Sequence, residues 1–222
     1  MSRPPDTPSV PRQFGGPDYA ELCVTSNFTF LTGASHPEEL VTRAAELGLS
    51  AIAITDRNSL AGVVRAYAAL KELRREADEA QQAIRIRSEH RTDSSSRQEV
   101  GTPQDIPRPA DMSLPRLIVG CRLVLTDCPV HWVALPRDRA GYQRLCRLLT
   151  LGKRRAEKGD CLLSLADMLE GCAGMILIAL PGADLHAARA PIQRLQRRYP
   201  GHVFVGAAPR YDGSDQAYFD AC

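Results

Sequence analysis

Two consecutive strand–helix patterns, joined by short polar loops, constrain the fold of this chain more than any other feature. The run Leu22 to Thr25 predicts a short strand, and "SHPE" at 35–38 predicts a capped helix start. "AIAI" at 51–54 is apolar on both faces, as expected for a buried parallel strand. After "TDRN" at 55–58, Ser59 caps a second predicted helix. This alternation predicts an α/β architecture.

The alternation returns in the C-terminal half of the chain. "RLIVGCRLVLT" at 116–126 and "VHWVALP" at 130–136 predict an antiparallel hairpin, because a short polar link joins them. Further elements follow as a helix at 138–152, a helix start capped by Ser164 and Asp167, a strand at 175–180, a helix at 184–199 and a strand at 202–208. The sequence therefore predicts six strands, most of them parallel.

Two stretches lack this periodicity. Residues 1–17 contain five prolines and predict a disordered tail. Residues 77–115 are rich in Ser, Pro and both charge signs, and the range 71–116 holds nine Lys/Arg and nine Asp/Glu. We predict a mobile, electrically neutral insertion at 77–115, inside a folded domain that spans 18–222.

Composition excludes several classes of protein. The net charge of +2 gives no overall attraction to nucleic acid, and the longest apolar run, at 174–181, is too short to span a membrane. The seven cysteines include no Cys-x-x-Cys pair. An odd number of dispersed cysteines favours reduced thiols and hence a cytoplasmic location.

Few residues present obvious site chemistry. The five histidines form neither His-x-His nor His-x-x-x-His, and a lone strand histidine such as His131 is more often structural than a ligand. Cys23 and Cys121 lack a recognisable base, so packing explains them better than nucleophilic catalysis. Segment 137–158 carries eight Lys/Arg against two acids. Lys153, Arg154 and Arg155 are candidate nucleic-acid contacts there, although a solvated helix face explains them equally well.

Specific motifs resemble one family. "TSNFTFLTGASHPEELV" and "ITDRNSLAGV", within the segment from Tyr19 to Tyr67, resemble the N-terminal polymerase-and-histidinol-phosphatase (PHP) domain of bacterial C-family DNA polymerases. "GCRL" at 120–123 and the segment 138–161 extend the resemblance, which is strongest to the error-prone, damage-tolerance branch. It implies a distorted, incomplete (β/α)7-type PHP barrel.

The resemblance also implies a degenerate metal site. Replicative members of the family carry His-x-His, Leu-Asp-Gly, Thr-Asp-His and Gly-Cys-Glu motifs. The matching positions here are Cys23, Thr25, Thr32, Arg57 and Arg122. Two fixed positive charges among them would repel a cation, so we expect no bound metal, with Asp56 and His131 as remnants. The arginines would instead pair with Asp56, Asp18 or Glu21.

The resemblance leaves two functional alternatives. The first is a non-catalytic structural module, an N-terminal fragment of an error-prone DNA polymerase that replicates past lesions in damage-induced mutagenesis. Its partners would be the rest of the polymerase polypeptide or other damage-tolerance proteins, with DNA and magnesium bound by the parent enzyme and no contact with a membrane. The second is a free-standing metal-dependent phosphoesterase that uses other ligands, such as Asp56, His131 and His202.

Overall fold

The computed structural model describes residues 19–90, 114–182, 184–207, 213 and 215–221, and it gives the side chains of all of these except 87–90 and 221. The predicted tail at 1–17 lies outside the described residues. The described chain is mixed α/β, as predicted. Its elements, in chain order, are β1 (Ala20–Val24), α1 (Pro37–Glu46), β2 (Ala51–Ile54), α2 (Ala61–His90), β3 (Arg116–Val119), β4 (Cys121–Leu123), β5 (His131–Pro136), α3 (Arg139–Arg154), α4 (Leu165–Gly171), β6 (Met175–Leu180), α5 (Leu185–Arg198), β7 (Val203–Val205) and α6 (Asp215–Ala221).

The strands form two sheets. The first has the order β1-β2-β3 and is parallel throughout, whereas the second has the order β4-β5-β6-β7. In the second sheet, β5 is antiparallel to both β4 and β6, and β6 is parallel to β7. The sheets do not close into a complete barrel over the residues described here. The distorted, incomplete barrel predicted from the resemblance is therefore confirmed.

Gly120 divides one predicted strand into two. The hairpin prediction for 116–126 is wrong in its first half, because β3 pairs in parallel with β2 and only β4 joins β5. A Cβ atom at Gly120 would lie 2.7 Å from both Leu135 Cδ2 and Thr55 Cγ2. The chain can pass this crowded point, where it moves from one sheet to the other, because residue 120 has no side chain.

Helix α2 corrects the predicted insertion. It continues to His90, so residues 77–90 are helical, and the predicted insertion residues 91–113 lie outside the described residues. The sequence of this part is rich in Ala, Glu, Gln and Arg, which have high helix propensity. Arg75 also forms ion pairs one turn away on both sides, with Glu72 and, at 3.7 Å, with Glu79. In this part of the chain, the helix propensity of the residues outweighs a composition that is typical of disordered segments.

The core has three layers. Val41, Ile52 and Leu70 belong to a cluster between the first sheet and helices α1 and α2. A larger cluster, which contains Trp132 and Leu145, lies between the second sheet and helices α3 to α5. The inner faces of the two sheets meet in a third cluster of small and branched side chains: Leu22, Cys23, Ala53, Ile118, Val133, Leu135, Ile176, Ile178 and Leu180. This third layer is the interior of the incomplete barrel.

The helix starts follow the sequence with one shift. Ser164 caps α4 through a reciprocal box with Asp167, as the sequence predicts. Helix α1 instead has His36 as its N-cap, one residue after the predicted Ser35, and the His36 amide donates to Glu39 Oε2 at 2.8 Å. Over the part of the chain that the structure describes, no helix has the length and apolar character needed to cross a membrane.

Candidate functional site

The site lies where the parallel strands β1 and β2 end. Because neighbouring parallel strands present their carboxyl ends at one edge, the loop after β1 meets Asp56, which follows β2. Asp56 is 1% exposed. Its Oδ1 accepts hydrogen bonds from the Ser26 amide and from Thr29 Oγ1, each at 2.8 Å, and its Oδ2 accepts one from Ser26 Oγ at 2.7 Å. The carboxylate thus fixes the loop to the sheet.

Close packing leaves little room around this carboxylate. A Cβ atom at Gly62, near the start of α2, would lie 2.6 Å from Asp56 Oδ2 and 3.0 Å from Ser26 Oγ. Thr55 is also buried, and its hydroxyl donates to the Val24 carbonyl at 3.1 Å. Asp56 is therefore an internal structural group whose oxygens already have donors.

Arg57 and Arg122 meet at an isolated bridge that links the end of β2 to β4. The Arg122 amide donates to the Asp56 carbonyl at 3.0 Å, and the Asn58 amide donates to the Arg122 carbonyl at 2.9 Å. The Arg57 amide donates to Thr29 Oγ1 at 3.0 Å, while its side chain is exposed. Two positions that the family pattern gives to metal donors therefore carry adjacent cations.

The Arg122 guanidinium does not form the expected ion pair. Its Nη2 donates to Cys23 Sγ at 3.0 Å, a contact between positions 99 residues apart. Glu21 Oε1 accepts from the Cys23 amide at 3.2 Å, and Glu21 Oε2 accepts from the Tyr19 hydroxyl at 2.9 Å. The Tyr19–Glu21 hydrogen bond raises the pKa of the tyrosine. Since Asp56 is held by Ser26 and Thr29 instead, the predicted ion pairs with Asp56 and Glu21 are wrong, and Asp18 lies outside the described residues.

His131 lies at the first position of β5, opposite Leu180. Because β5 runs antiparallel to β6, this position is at the same edge as the carboxyl ends of the parallel strands. Partial burial lowers the pKa of His131, and the positive charges of Arg122 and Arg57 lower it further. The two arginines give this edge a positive local charge.

The cysteines have structural roles in this region. Cys121 is fully buried and its Sγ donates to the Asp56 carbonyl at 3.4 Å. Burial raises the pKa of Cys121 to about 12, which keeps it a thiol at neutral pH. The same cause raises the pKa of Cys172 to about 12. All six cysteines that the structure describes are free.

The other predicted positions are dispersed. Thr25 directly follows β1 and is half-buried. Thr32 is exposed, and it lies in a turn that is closed by a hydrogen bond from the Thr32 amide to the Thr29 carbonyl at 3.1 Å. Asn58, which no sequence pattern singled out, is buried and has a left-handed φ of 46°. Its side-chain Oδ1 accepts a hydrogen bond from the Val124 amide at 3.0 Å, and its Nδ2 donates one to the Val124 carbonyl at 3.1 Å. In the sequence, the polar run that follows β2 was the feature that could have indicated this structural role of Asn58.

The residues present do not fit a metal cluster. Across the described ranges, no group of three or more His, Cys, Asp or Glu side chains is close enough to hold an ion. The carboxylate oxygens of Asp56 already accept three hydrogen bonds, and the guanidiniums of Arg57 and Arg122 have no lone pair to give to a cation. A cluster of divalent ions requires several convergent His and carboxylate donors.

The three basic candidates at the end of α3 separate into different environments. Arg155 forms an ion pair with Asp167 at 2.7 Å. Burial opposes ionisation of Asp167, but the hydrogen bonds from Arg155 and Ser164 outweigh burial and lower the pKa. Arg154 and Arg155 line one surface cavity, whereas Lys153 lines a different cleft together with Arg57. The structure therefore does not bring the three together as one patch.

Two facing sheets with polar loops at one shared edge define a class, the barrel-like α/β domains that carry their site at the strand ends. Within that class the chain belongs to the PHP domain family, because the family model matches residues 21–182. The resemblance seen in the sequence motifs is thus confirmed.

The chain is similar to curated proteins named error-prone DNA polymerase. It is 78% identical to the protein of Ruegeria pomeroyi over 92% of this chain and 18% of that protein. It is 40% identical to the protein of Rhodopseudomonas palustris over 90% of this chain and 15% of that protein. The Brucella abortus protein is 38% identical over 89% of this chain. The chain therefore spans less than a fifth of the length of these relatives.

A crystal structure supports the fold. A Bifidobacterium adolescentis protein assigned as a metal-dependent phosphoesterase superposes with a TM-score of 0.52, covering 92% of this chain and 82% of that one. The sequence identity is 12%, so the likeness concerns the fold alone.

Proposed function

We propose that this chain is a non-catalytic, structural PHP module of an error-prone DNA polymerase that acts in replication past lesions and in damage-induced mutagenesis. Relatives named error-prone DNA polymerase match almost the whole chain, which supports the polymerase context. The partner of the module is then the rest of such a polymerase, in the cytoplasm. Magnesium is the cofactor of the parent polymerase, and the module meets DNA through that parent.

One observation carries the non-catalytic part of the proposal. The Arg122 guanidinium donates to Cys23 Sγ at 3.0 Å, where the family pattern places two metal donors. A fixed cation there disfavours a second cation: at an effective dielectric constant of about 20, two unit charges ~4 Å apart interact by roughly 4 kcal/mol. The contacts of these side chains connect the loops and sheets at this edge, which supports a structural role.

A hydrolysis assay tests the lack of catalysis. The purified chain, supplied with Mn²⁺ or Zn²⁺, should release neither phosphate from model phosphoesters nor nucleotides from DNA 3′ ends. Metal-stimulated hydrolysis that disappears in His131→Ala would instead support the free-standing phosphoesterase.

The polymerase context is tested separately by deleting this segment in frame from the parent gene. We expect a lower damage-induced mutation frequency, and an unchanged frequency would contradict the proposed role.

A further inference from the structure

An open cleft beside the strand-end edge combines cationic and aromatic side chains. Its volume is about 660 Å³, and its lining comes from the loops after β1, β2 and β4, from the end of α3 and from the segment that follows α3. Arg57 and Lys153 supply two positive charges, Phe28 and Phe30 supply aromatic surface, and Asp160 is the one carboxylate in the lining that the structure describes. The net charge of this lining is thus positive.

The two cations are available to a ligand. Arg57 and Lys153 are both exposed, in contrast to Arg155, whose guanidinium is held by Asp167. Guanidinium and ammonium groups that line one cleft suit the oxygens of a phosphate group.

The aromatic component is exposed but firmly anchored. Phe30 is 84% exposed and the neighbouring Leu31 is 90% exposed, which is unusual for large apolar side chains. The turn that carries them is fixed at its base, because Thr29 Oγ1 donates to the buried Asp56 and the Gly33 amide donates to the Thr29 carbonyl at 3.0 Å. Phe30 is therefore presented on a pre-organised support, so that little conformational freedom would be lost when it stacks on a ligand.

We propose that this cleft binds a nucleotide unit without metal, with the phosphate contacting Arg57 and Lys153 and the base stacking on Phe30. Binding sites for single-stranded nucleic acid combine these two features, a cationic groove and aromatic stacking surfaces. A duplex keeps its bases stacked inside, so Phe30 has no base to contact there. The inference goes beyond the structural role proposed above and does not depend on it, so its failure would leave that role intact.

Fluorescence anisotropy with a labelled oligothymidylate, in a buffer containing chelator, tests the proposal on the full chain. We expect Phe30→Ala to weaken binding about tenfold, the size typical of one stacked base. Arg57→Gln and Lys153→Gln should each weaken binding and reduce the slope of log affinity against log salt by about 0.7, which corresponds to one phosphate contact on a single strand. Competition with thymidine monophosphate distinguishes a free nucleotide from a strand as the natural ligand. If thymidine monophosphate displaces the labelled strand at concentrations similar to those of unlabelled oligothymidylate, the ligand is a free nucleotide. Much weaker displacement indicates a strand.

Two matched variants control for general charge and for folding. Arg154→Gln removes a neighbouring charge that lines a different cavity, and it should leave binding unchanged. Asp160→Asn removes the carboxylate of the cleft and should strengthen binding several-fold, a gain that unfolding cannot produce. Three results would overturn the proposal: no binding of either probe, equal binding of a duplex of the same length, or binding that Phe30→Ala and Arg57→Gln leave unchanged while Arg154→Gln weakens it.

Discussion

Asp56 retains the carboxylate of the family motif Thr-Asp-His but uses it for structure. The sequence placed this residue at a strand end, whereas its partners Ser26 and Thr29 lie 30 and 27 residues away along the chain. No local pattern predicts such a pairing, because it depends on the register between β1 and β2 and on the path of the loop. The position of the site was predictable, and the use of its carboxylate was not.

Replacing Asp56 should destabilise the fold. In Asp56→Asn the buried side chain keeps its size but loses its charge, so the hydrogen bonds from the Ser26 amide, Ser26 Oγ and Thr29 Oγ1 weaken or lose their acceptor. We expect the free energy of unfolding to fall by about 2 kcal/mol or more. Urea denaturation measures the change, with Asp160→Asn as the exposed control. A loss in Asp56→Asn no larger than that in the control would show that the carboxylate is dispensable.

His131 should titrate below the ordinary histidine pKa. Burial and the charges of Arg122 and Arg57 lower its pKa, so the unfolded chain binds a proton more readily than the folded chain. The contribution of His131 to stability is therefore full above the unfolded pKa of about 6.5 and decreases as the pH falls toward the lower folded value.

An NMR titration of the histidine ring resonances checks this shift. The pKa of His131 should move upward in Arg122→Gln, because one of the positive charges acting on it is gone. Arg154→Gln, whose charge does not contribute to the shift, should leave it in place. A pKa at or above the ordinary value in the unmodified protein would contradict the positive potential assigned to this edge.

The elements β2, α3, α4, β6 and α5 were predictable because their apolar periodicity matches their burial. Residues 51–54 are all buried, and Leu145, Leu148 and Leu149 share the buried face of α3. The break at Gly120 was not predictable, since the run 116–126 reads as one continuous apolar strand. The contacts that require glycine there come from Thr55 and Leu135, which are distant in sequence.

Gly120→Ala should disturb the passage between the two sheets. The added methyl group would lie 2.7 Å from Leu135 Cδ2 and from Thr55 Cγ2, so both side chains must move. Overpacking of this kind costs about 1–3 kcal/mol. Thermal or urea unfolding measures the loss. Gly182→Ala is the matched control, because among the described residues a Cβ there would meet only the Pro129 carbonyl, at 3.9 Å. An equal loss in both variants would contradict the account.

The second half of α2 provides a test of helix against disorder. Gln82 lies in the part of α2 where the sequence composition predicted the insertion. Proline at an interior helix position removes a hydrogen bond and clashes with the preceding turn, at a cost of about 3 kcal/mol. Gln82→Pro should reduce the helical circular dichroism signal, whereas Gln82→Ala should preserve it. Identical spectra for the two variants would show that this part of α2 is not helical in solution.

The molecule as a whole combines a preserved PHP frame with altered chemistry at its edge. The inner faces of the two sheets still pack together, and the loops after β1 and β2 still meet. The resemblance matches arginines, threonines and a cysteine to the family's metal donors, and the contact from Arg122 to Cys23 connects the two sheets. We therefore expect the fold to hold this edge together without a metal ion.

Metal stoichiometry tests this account most directly. The purified chain is dialysed against Mn²⁺ and Zn²⁺ and separated from free ions by gel filtration. The number of metal ions per chain is then measured by inductively coupled plasma mass spectrometry. A variant with Cys23→His, Thr25→His, Arg57→His and Arg122→Glu, which restores donors of the family pattern, serves for comparison. We expect far less than one ion per chain in the unmodified protein and a higher content in the variant. Stoichiometric Mn²⁺ or Zn²⁺ in the unmodified protein, lost on His131→Ala, would contradict the account.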